Sequence, residues 1–258
     1  MENNQRNKTP SVWAIADLHL SFGVPDKEMD IFGEEWEGWT EKIADNWKAN
    51  ISSEDLVLIP GDISWAMHIE QVIPDLEWIG SLPGTKVILR GNHDYWWSSK
   101  SKIKRILPPT VYMVQNDAFQ WENISVAGAR LWDTPEFHFL HCIIFKENKC
   151  ANPLADNEYD VDTMEKIFQR ELGRLELSLK ELNQVADYRI AMTHYPPISA
   201  DLKESRASKL LKKYNVDICV FGHLHSLKPG SLSFGEKEGI QYHLTSCDHL
   251  NFVPLKVL

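Results

Sequence analysis

The chain has 258 residues, of which 43% are hydrophobic and 25% charged, with a net charge of −10 at pH 7. This is an ordinary globular balance with enough apolar material for a sizeable core. The acidic surface disfavours nucleic-acid backbones, and no apolar run approaches the ~18 residues that span a bilayer, so the expected partners include neither nucleic acid nor membrane.

In chain order, residues 1–10 read as a polar tail rather than a secretion signal. Short apolar runs then begin at Val12 ("VWAIADLHL"), Leu56 ("LVLIPGD"), Lys86 ("KVILRGNHD"), Arg189 ("RIAMTHYPP") and Asp217 ("DICVFGHLH"). Each is a near-continuous apolar stretch, the pattern of a strand buried on both faces, and each ends in polar groups. Amphipathic spacing predicts helices between them. Trp36, Trp39, Ile43 and Trp47 mark the first, and Ile69, Val72, Ile73, Leu76 and Ile79 the second, despite Pro74. "SSKSKIKRIL" is a short basic helix. A long helix runs from about Asp162 to Ala186 with Ile167, Leu172, Leu175, Leu179 and Leu182 on one side, and "ASKLLKKY" supplies another. Alternating strands and helices imply βαβ units, in which ligands bind beyond the carboxyl ends of the strands.

"TVYMVQ", "AFQWEN", "ISVAGARLW", "GSLSFGEKEGIQYHLTS" and "FVPLKVL" read instead as antiparallel hairpin material, with turns at Glu122-Asn123 and between Gly235 and Gly239. They predict a second sheet packed on the first. The stretch 133–160 has no clear period and reads as a loop excursion. With no repeat or linker, the expectation is one domain over 1–258. Cys142, Cys150, Cys219 and Cys247 include no C-x-x-C pair, which predicts no disulfide framework and a cytoplasmic setting.

The polar strand ends deliver Asp17 and His19, then Asp62, then Asn92 and His93, then His194, then His223 and His225. Carboxylates and imidazoles without thiolates suit divalent Mn, Fe or Zn rather than a structural zinc site. They are too many for one tetrahedral ion and suit two, with one carboxylate shared. A metal pair serves phosphoester hydrolysis by clamping the attacking and leaving oxygens.

Asp17-x-His19, Gly61-Asp62, Gly91-Asn92-His93-Asp94, His194 and Gly222-His223-x-His225 together resemble the five motifs of the calcineurin-like metallophosphoesterase superfamily. The resemblance spans Asp17 to His225, and its specificity lies in all five motifs occurring in order. It implies an α/β fold, a two-sheet mixed β-sandwich flanked by helices in four αββα layers. It implies that Asp17, His19 and His225 bind one ion, that Asn92, His194 and His223 bind the other, and that Asp62 bridges them. A bridging hydroxide would then attack phosphorus in line. His93 would face the phosphoryl oxygens or protonate the leaving group, and Asp94 would either orient His93 or cap the next helix. "GDISWA" departs from the G-D-x-x-D-R-G pattern of the protein Ser/Thr phosphatases. The resemblance is therefore to the small bacterial-type branch.

The expected function is a dinuclear-metal-dependent phosphoesterase acting on a small phosphorylated metabolite or nucleotide, with Mn or Fe ahead of Zn. A nuclease or cyclic-nucleotide phosphodiesterase is the nearest alternative, and a non-catalytic protein-binding scaffold on the same fold is the alternative of another class. Arg130, Trp132, Tyr195 and Tyr95 are the candidate substrate contacts. An arginine can pair a phosphate bidentately, and an aromatic can wall a pocket.

Overall fold

The computed structural model describes residues 11–144, 160–232 and 234–258. The apolar runs become strands β1 (Val12–Ala14), β2 (Leu56–Ile59) and β3 (Thr85–Ile88). Helices α1 (Trp39–Asn50) and α2 (Ile73–Ser81) lie between them, and the short basic α3 (Lys100–Lys104) leads to β4 (Val111–Met113). There follow β5 (Ala118–Trp121), β6 (Ile124–Ala129), α4 (Val161–Lys180), β7 (Tyr188–Thr193), α5 (Arg206–Lys213) and β8 (Ile218–Phe221), then β9 (Glu236–Lys237), β10 (Ile240–Leu244) and β11 (Leu255–Lys256).

The strands form two mixed sheets, in the orders β11-β1-β2-β3-β4 and β5-β6-β7-β8-β10-β9. Only β11, β5 and β9 run antiparallel to their neighbours. This bears out the hairpins β5–β6 and β9–β10 and corrects the expectation for "TVYMVQ", while β6 and β10 each add a parallel partner on their other side. Strand β4 lies parallel to β3 after the α3 crossover, β6 lies parallel to β7 across α4, and β10 lies parallel to β8. The cue was burial, since every residue of β6 is buried, as in an interior parallel strand. The two expected turns do occur, with left-handed Glu122 in one and Glu238-Gly239 in the other.

Side-chain alternation then builds the layers. Val57 and Ile59 face α1 and α2, packing with Ile43, Trp47, Leu76 and Ile79. Leu56 and Leu58 face the other way and meet Val126, Ile190, Met192 and Val220 of the second sheet. That sheet turns Ala191, Cys219 and Phe221 outward against Leu175 and Leu179 of α4 and Leu211 of α5. The result is the four-layer αββα sandwich.

Two helix boundaries differ from the periodicity. Helix α2 starts at Ile73 because Pro74 occupies its first turn, so Ile69 and Val72 precede it. Helix α4 ends at Lys180, and its buried side carries Phe168 rather than Ile167. Within 133–160, residues 133–144 hold one short 3-10 turn, Leu140–Cys142, Asp160 caps α4, and residues 145–159, Cys150 among them, lie outside the described residues, like the 1–10 tail. No described helix is long and apolar enough to cross a membrane.

Candidate metal centre and active site

The parallel strands of both sheets end on one rim, and two of their loops are zipped together there. The backbone N–H of Asp17 donates to Gly61 O at 3.0 Å, His19 N to Asp62 O at 3.0 Å and Leu20 N to Ile63 O at 2.9 Å. Trp39 of α1 donates its indole N–H to Leu18 O, anchoring the D-x-H loop from the helix side. Asp17, His19, Asp62 and His223 all adopt left-handed backbone, with φ of 59°, 46°, 49° and 74°. Each such non-glycine residue costs about 1–2 kcal/mol, and strain of this kind concentrates at functional sites.

The glycines of the motifs exist for close approach. A Cβ on Gly91 would lie 2.1 Å from Asp62 Oδ1, and one on Gly222 would lie 2.4 Å from Asp17 Oδ2. Neither contact is possible for a real side chain, so each glycine is what allows a carboxylate to sit against the neighbouring strand end.

The structure brings all seven expected metal ligands together. The ligand atoms of Asp17, His19 and His225 lie within 4.8 Å of one another, as do those of Asp17, Asp62 and His194. Asp17 is common to both groups, and Asp62 Oδ2 lies 3.9 Å from His19 Nε2 and 3.4 Å from His194 Nε2. Asn92 Oδ1 lies 2.6 Å from His194 Nε2 and 3.1 Å from His223 Nδ1. His194 Nδ1 sits 3.1 Å from Pro60 O, which fixes its ring so that Nε2 faces the cluster.

The electrostatics suit cations. Asp17 and Asp62 are fully buried, and among the described residues their ion-pair partners are histidines rather than lysine or arginine. Burial pushes Asp17 up to about 6 against the pull of His225 and His194. Burial also opposes ionisation of Asp62, yet His194 and His19 hold it well below the usual carboxylate range. Burial drives His19 and His223 well below the ordinary imidazole value, leaving neutral rings with a free lone pair. Neutral imidazoles and ionised carboxylates are the donor states that metal binding requires. His19, His223 and Asp62 stand in them, while at His194 burial is outweighed by Asp62 and Asp17, which raise the ring's pKa.

Three contributors were not legible as site residues. Asp248 Oδ1 accepts a 2.9 Å hydrogen bond from His225 Nδ1, while its other oxygen accepts from Ser226 N. Burial opposes protonation of His225, but Asp248 and Asp17 outweigh it and lift the ring to about 9. Trp65 stacks on His19 at 4.9 Å between centroids and approaches His93 at 4.5 Å. Trp36 closes the same side, 5.9 Å from the His225 ring. A lone aspartate and two of ten tryptophans carry no local signature that marks them in sequence.

His93 sits at this cluster with its backbone N–H donating to Asp62 Oδ1. Its Nδ1 is buried without a hydrogen-bond partner among the described residues, and burial lowers its pKa. Asp94 is engaged elsewhere. Its carboxylate accepts from the backbone N–H groups of Gly91, Ile63 and Ser64 and from the Trp96 indole. It therefore clamps the G-N-H-D turn to the Asp62 loop, rather than bonding the His93 ring or capping the helix that follows. In "YWW", Trp96 and Trp97 are core, while Tyr95 is half exposed with its ring 6.1 Å from His93.

A cleft of about 410 Å³ opens from His223, walled by Trp132, Tyr195, Phe137 and Phe139. The Tyr195 ring lies 4.0 Å from that of His223, and Trp132 lies beyond it at 5.2 Å, tilted by 41°. Arg130 does not enter this cleft. Its guanidinium lies over the far side of Trp132, and Nη2 reaches Glu171 of α4 at 3.3 Å.

Buried carboxylates and imidazoles at the strand ends of an αββα sandwich form a donor set fit for divalent metal ions. The chain belongs to the calcineurin-like phosphoesterase family, whose sequence profile matches residues 10–227. Members of that family are metal-dependent phosphoric ester hydrolases. It is 32% identical over 84 residues to the Gene 66 protein of Mycobacterium phage D29, a match over 33% of this chain that covers 40% of the phage protein. The phosphopantetheinyl hydrolase of Mycobacterium tuberculosis shares the fold with a TM-score of 0.50 at 11% identity, covering 96% of each chain. The calcineurin-like phosphoesterase YfkN from Bacillus subtilis aligns with a TM-score of 0.49 at 15% identity, over 93% of this chain and 82% of that one.

Proposed function

We propose that the chain hydrolyses a phosphate ester of a small metabolite or nucleotide at a dinuclear metal centre. The observation that carries this reading is Asp62, buried between the imidazoles of His19 and His194 with no lysine or arginine among the described residues to neutralise it. Asp17, His19 and His225 would hold one ion and Asn92, His194 and His223 the other, with Asp62 available to both. Mn or Fe suits this donor set ahead of Zn. When bound, the two ions supply Lewis acidity and an activated water near neutral pH.

The chain's own residues supply the rest. His93, fixed through its backbone by Asp62, presents its imidazole to the phosphoryl group. An anionic substrate beside it would raise its lowered pKa, letting it hold and deliver the proton that the departing alcohol needs. Asp94 acts as a positioning residue by holding the turn that carries Asn92 and His93. Trp36 and Trp65 exclude water from one side of the cluster. The cleft beyond His223 receives the alcohol part of the ester against Tyr195 and Trp132, and Tyr95 borders the open side.

The test is metal removal, reconstitution with Mn²⁺, and comparison of p-nitrophenyl phosphate with its bis-ester for the wild type and His93→Ala. Metal-dependent turnover that drops 10²-fold or more in the variant, on the order expected for losing a general acid, supports the reading. The preferred ester then separates monoesterase from diesterase. A protein that holds both ions and cleaves neither ester, nor any small phosphorylated metabolite or nucleotide, would refute it.

A further inference from the structure

A second cleft, of about 110 Å³, lies on the same rim but is lined by none of the candidate metal ligands. Arg90, Arg130 and Arg174 line it, with Glu171 as the acidic member and Ser98 and Gln115 as neutral polar neighbours. Three guanidiniums around so small a space are unexpected in a chain of net charge −10, because guanidiniums stay charged and repel one another. Glu171 relieves only part of this. It takes Arg174 Nη1 at 2.8 Å and Arg130 Nη2 at 3.3 Å, and it also meets the more exposed Arg170 at 3.6 Å. Arg90 gets no share of it at contact distance among the described residues.

The donors left over point the same way. The Nε atoms of both Arg90 and Arg130 are buried and have no hydrogen-bond partner among the described residues. A buried, unmatched guanidinium N–H costs free energy, and these two come from different sheets, one at the end of β3 and one at the end of β6. The volume far exceeds the roughly 10–15 Å³ one water needs and admits a tetrahedral oxyanion. Such an anion would cancel the surplus charge and, with a rotation of the two side chains, offer their Nε–H groups an acceptor, and guanidinium forks match its geometry.

We propose that this cleft is an oxyanion site that takes a phosphate group, separate from the metal cluster and coupled to it. The coupling is short. Arg90 immediately precedes the Gly91-Asn92-His93 turn, and the Arg130 carbonyl accepts the backbone N–H of both His194 and Tyr195. The phosphate is either free inorganic phosphate, the product of the chain's own reaction acting as an effector, or a second phosphate carried by the substrate.

The test is calorimetric titration of metal-free, full-length protein with inorganic phosphate and with sulfate at low ionic strength. The site predicts one saturable anion per chain. Affinity falls about tenfold or more in Arg90→Gln and in Arg174→Gln, the loss of a charge-assisted contact, and is retained in His223→Ala. Circular dichroism and melting without anion show whether each variant is folded. Arg174, half exposed on α4, carries the test if Arg90→Gln is not. In metal-loaded enzyme, a KM that rises in Arg174→Gln for a bisphosphate ester and not for a monophosphate ester assigns the cleft to the substrate's second phosphate. Equal KM for both assigns it to free phosphate. No saturable binding, binding indifferent to both arginine substitutions, or binding lost in His223→Ala overturns the proposal.

Discussion

Asp248 offers the sharpest test of how the site is built. Its carboxylate holds His225 through Nδ1 at 2.9 Å and leaves Nε2 turned toward Asp17 and His19. A carboxylate behind a ligating imidazole raises ligand basicity and fixes the ring, and its removal typically costs 10- to 100-fold in metal affinity. Converted at 1.4 kcal/mol per decade, that is about 1.4–2.8 kcal/mol. Asp248→Asn keeps one acceptor oxygen, enough for the imidazole or for Ser226 N but not for both, and loses the charge, so the loss should be at least tenfold. Asp248→Ala removes both bonds and should approach 100-fold. The assay is Mn²⁺ titration of stripped protein, followed by calorimetry or equilibrium dialysis with mass-spectrometric metal counting. The ion held by Asp17, His19 and His225 should weaken, and the other should change less. Unchanged affinity at both sites in Asp248→Ala would refute the reasoning that this carboxylate tunes a ligand.

Three further outcomes follow from local geometry. Gly91→Ala places a Cβ at 2.1 Å from Asp62 Oδ1, so Asp62 must move. Activity and metal affinity should both fall more than tenfold while the fold persists, and retention of both by metal counting and ester hydrolysis would count against the shared role of Asp62. Lys86 is fully buried, with Nζ donating to the carbonyls of Gly80, Leu82 and Gly84 and to Thr110 Oγ1. Lys86→Met strands these acceptors, costing about 2–4 kcal/mol, or about 4–16 °C of Tm for a chain of this size, which a melting curve checks. Buried Asp75 is lifted by desolvation from 3.8 to about 6, with Ser64 and Phe22 N opposing. Its folded pKa is above its unfolded one, so the native state binds the proton more tightly and stability from this group is lost as pH rises from below 4 to above 6. The effect is at most about 3 kcal/mol. Asp75→Asn removes that loss, so the Tm difference between variant and wild type should move in the variant's favour between pH 4.5 and 7. A difference flat across this range would contradict the assignment.

The expected layer order was legible because the strand runs are apolar on both faces and end in polar groups, a pattern set by local chemistry. The gathering of Asp17, His19, Asp62, Asn92, His194, His223 and His225 was legible for the same reason, since parallel strands deliver their carboxyl ends to one rim. Strand direction in the second half was not, because whether β6 pairs with the strand before it or the strand after α4 depends on tertiary partners, and it does both. Asp94 shows another limit. Its neighbour in sequence is His93, but its hydrogen-bond partners include Ile63 and Ser64, some thirty residues away. Arg130 likewise sits one residue from the Leu131 backbone turn, at φ 60°, and its side chain goes to α4 rather than to the cleft beside Trp132. Long-range contacts of this kind, like that of Asp248 with His225, leave no periodic trace in the chain.

The central claim is a pair of ions sharing Asp62, and the most direct measurement is electron paramagnetic resonance of the Mn²⁺-loaded protein with metal counting. Two Mn²⁺ per chain with a spin-coupled signal, reverting to an uncoupled signal in Asp62→Asn, is the predicted result. A single uncoupled Mn²⁺ per wild-type chain at saturation would contradict it.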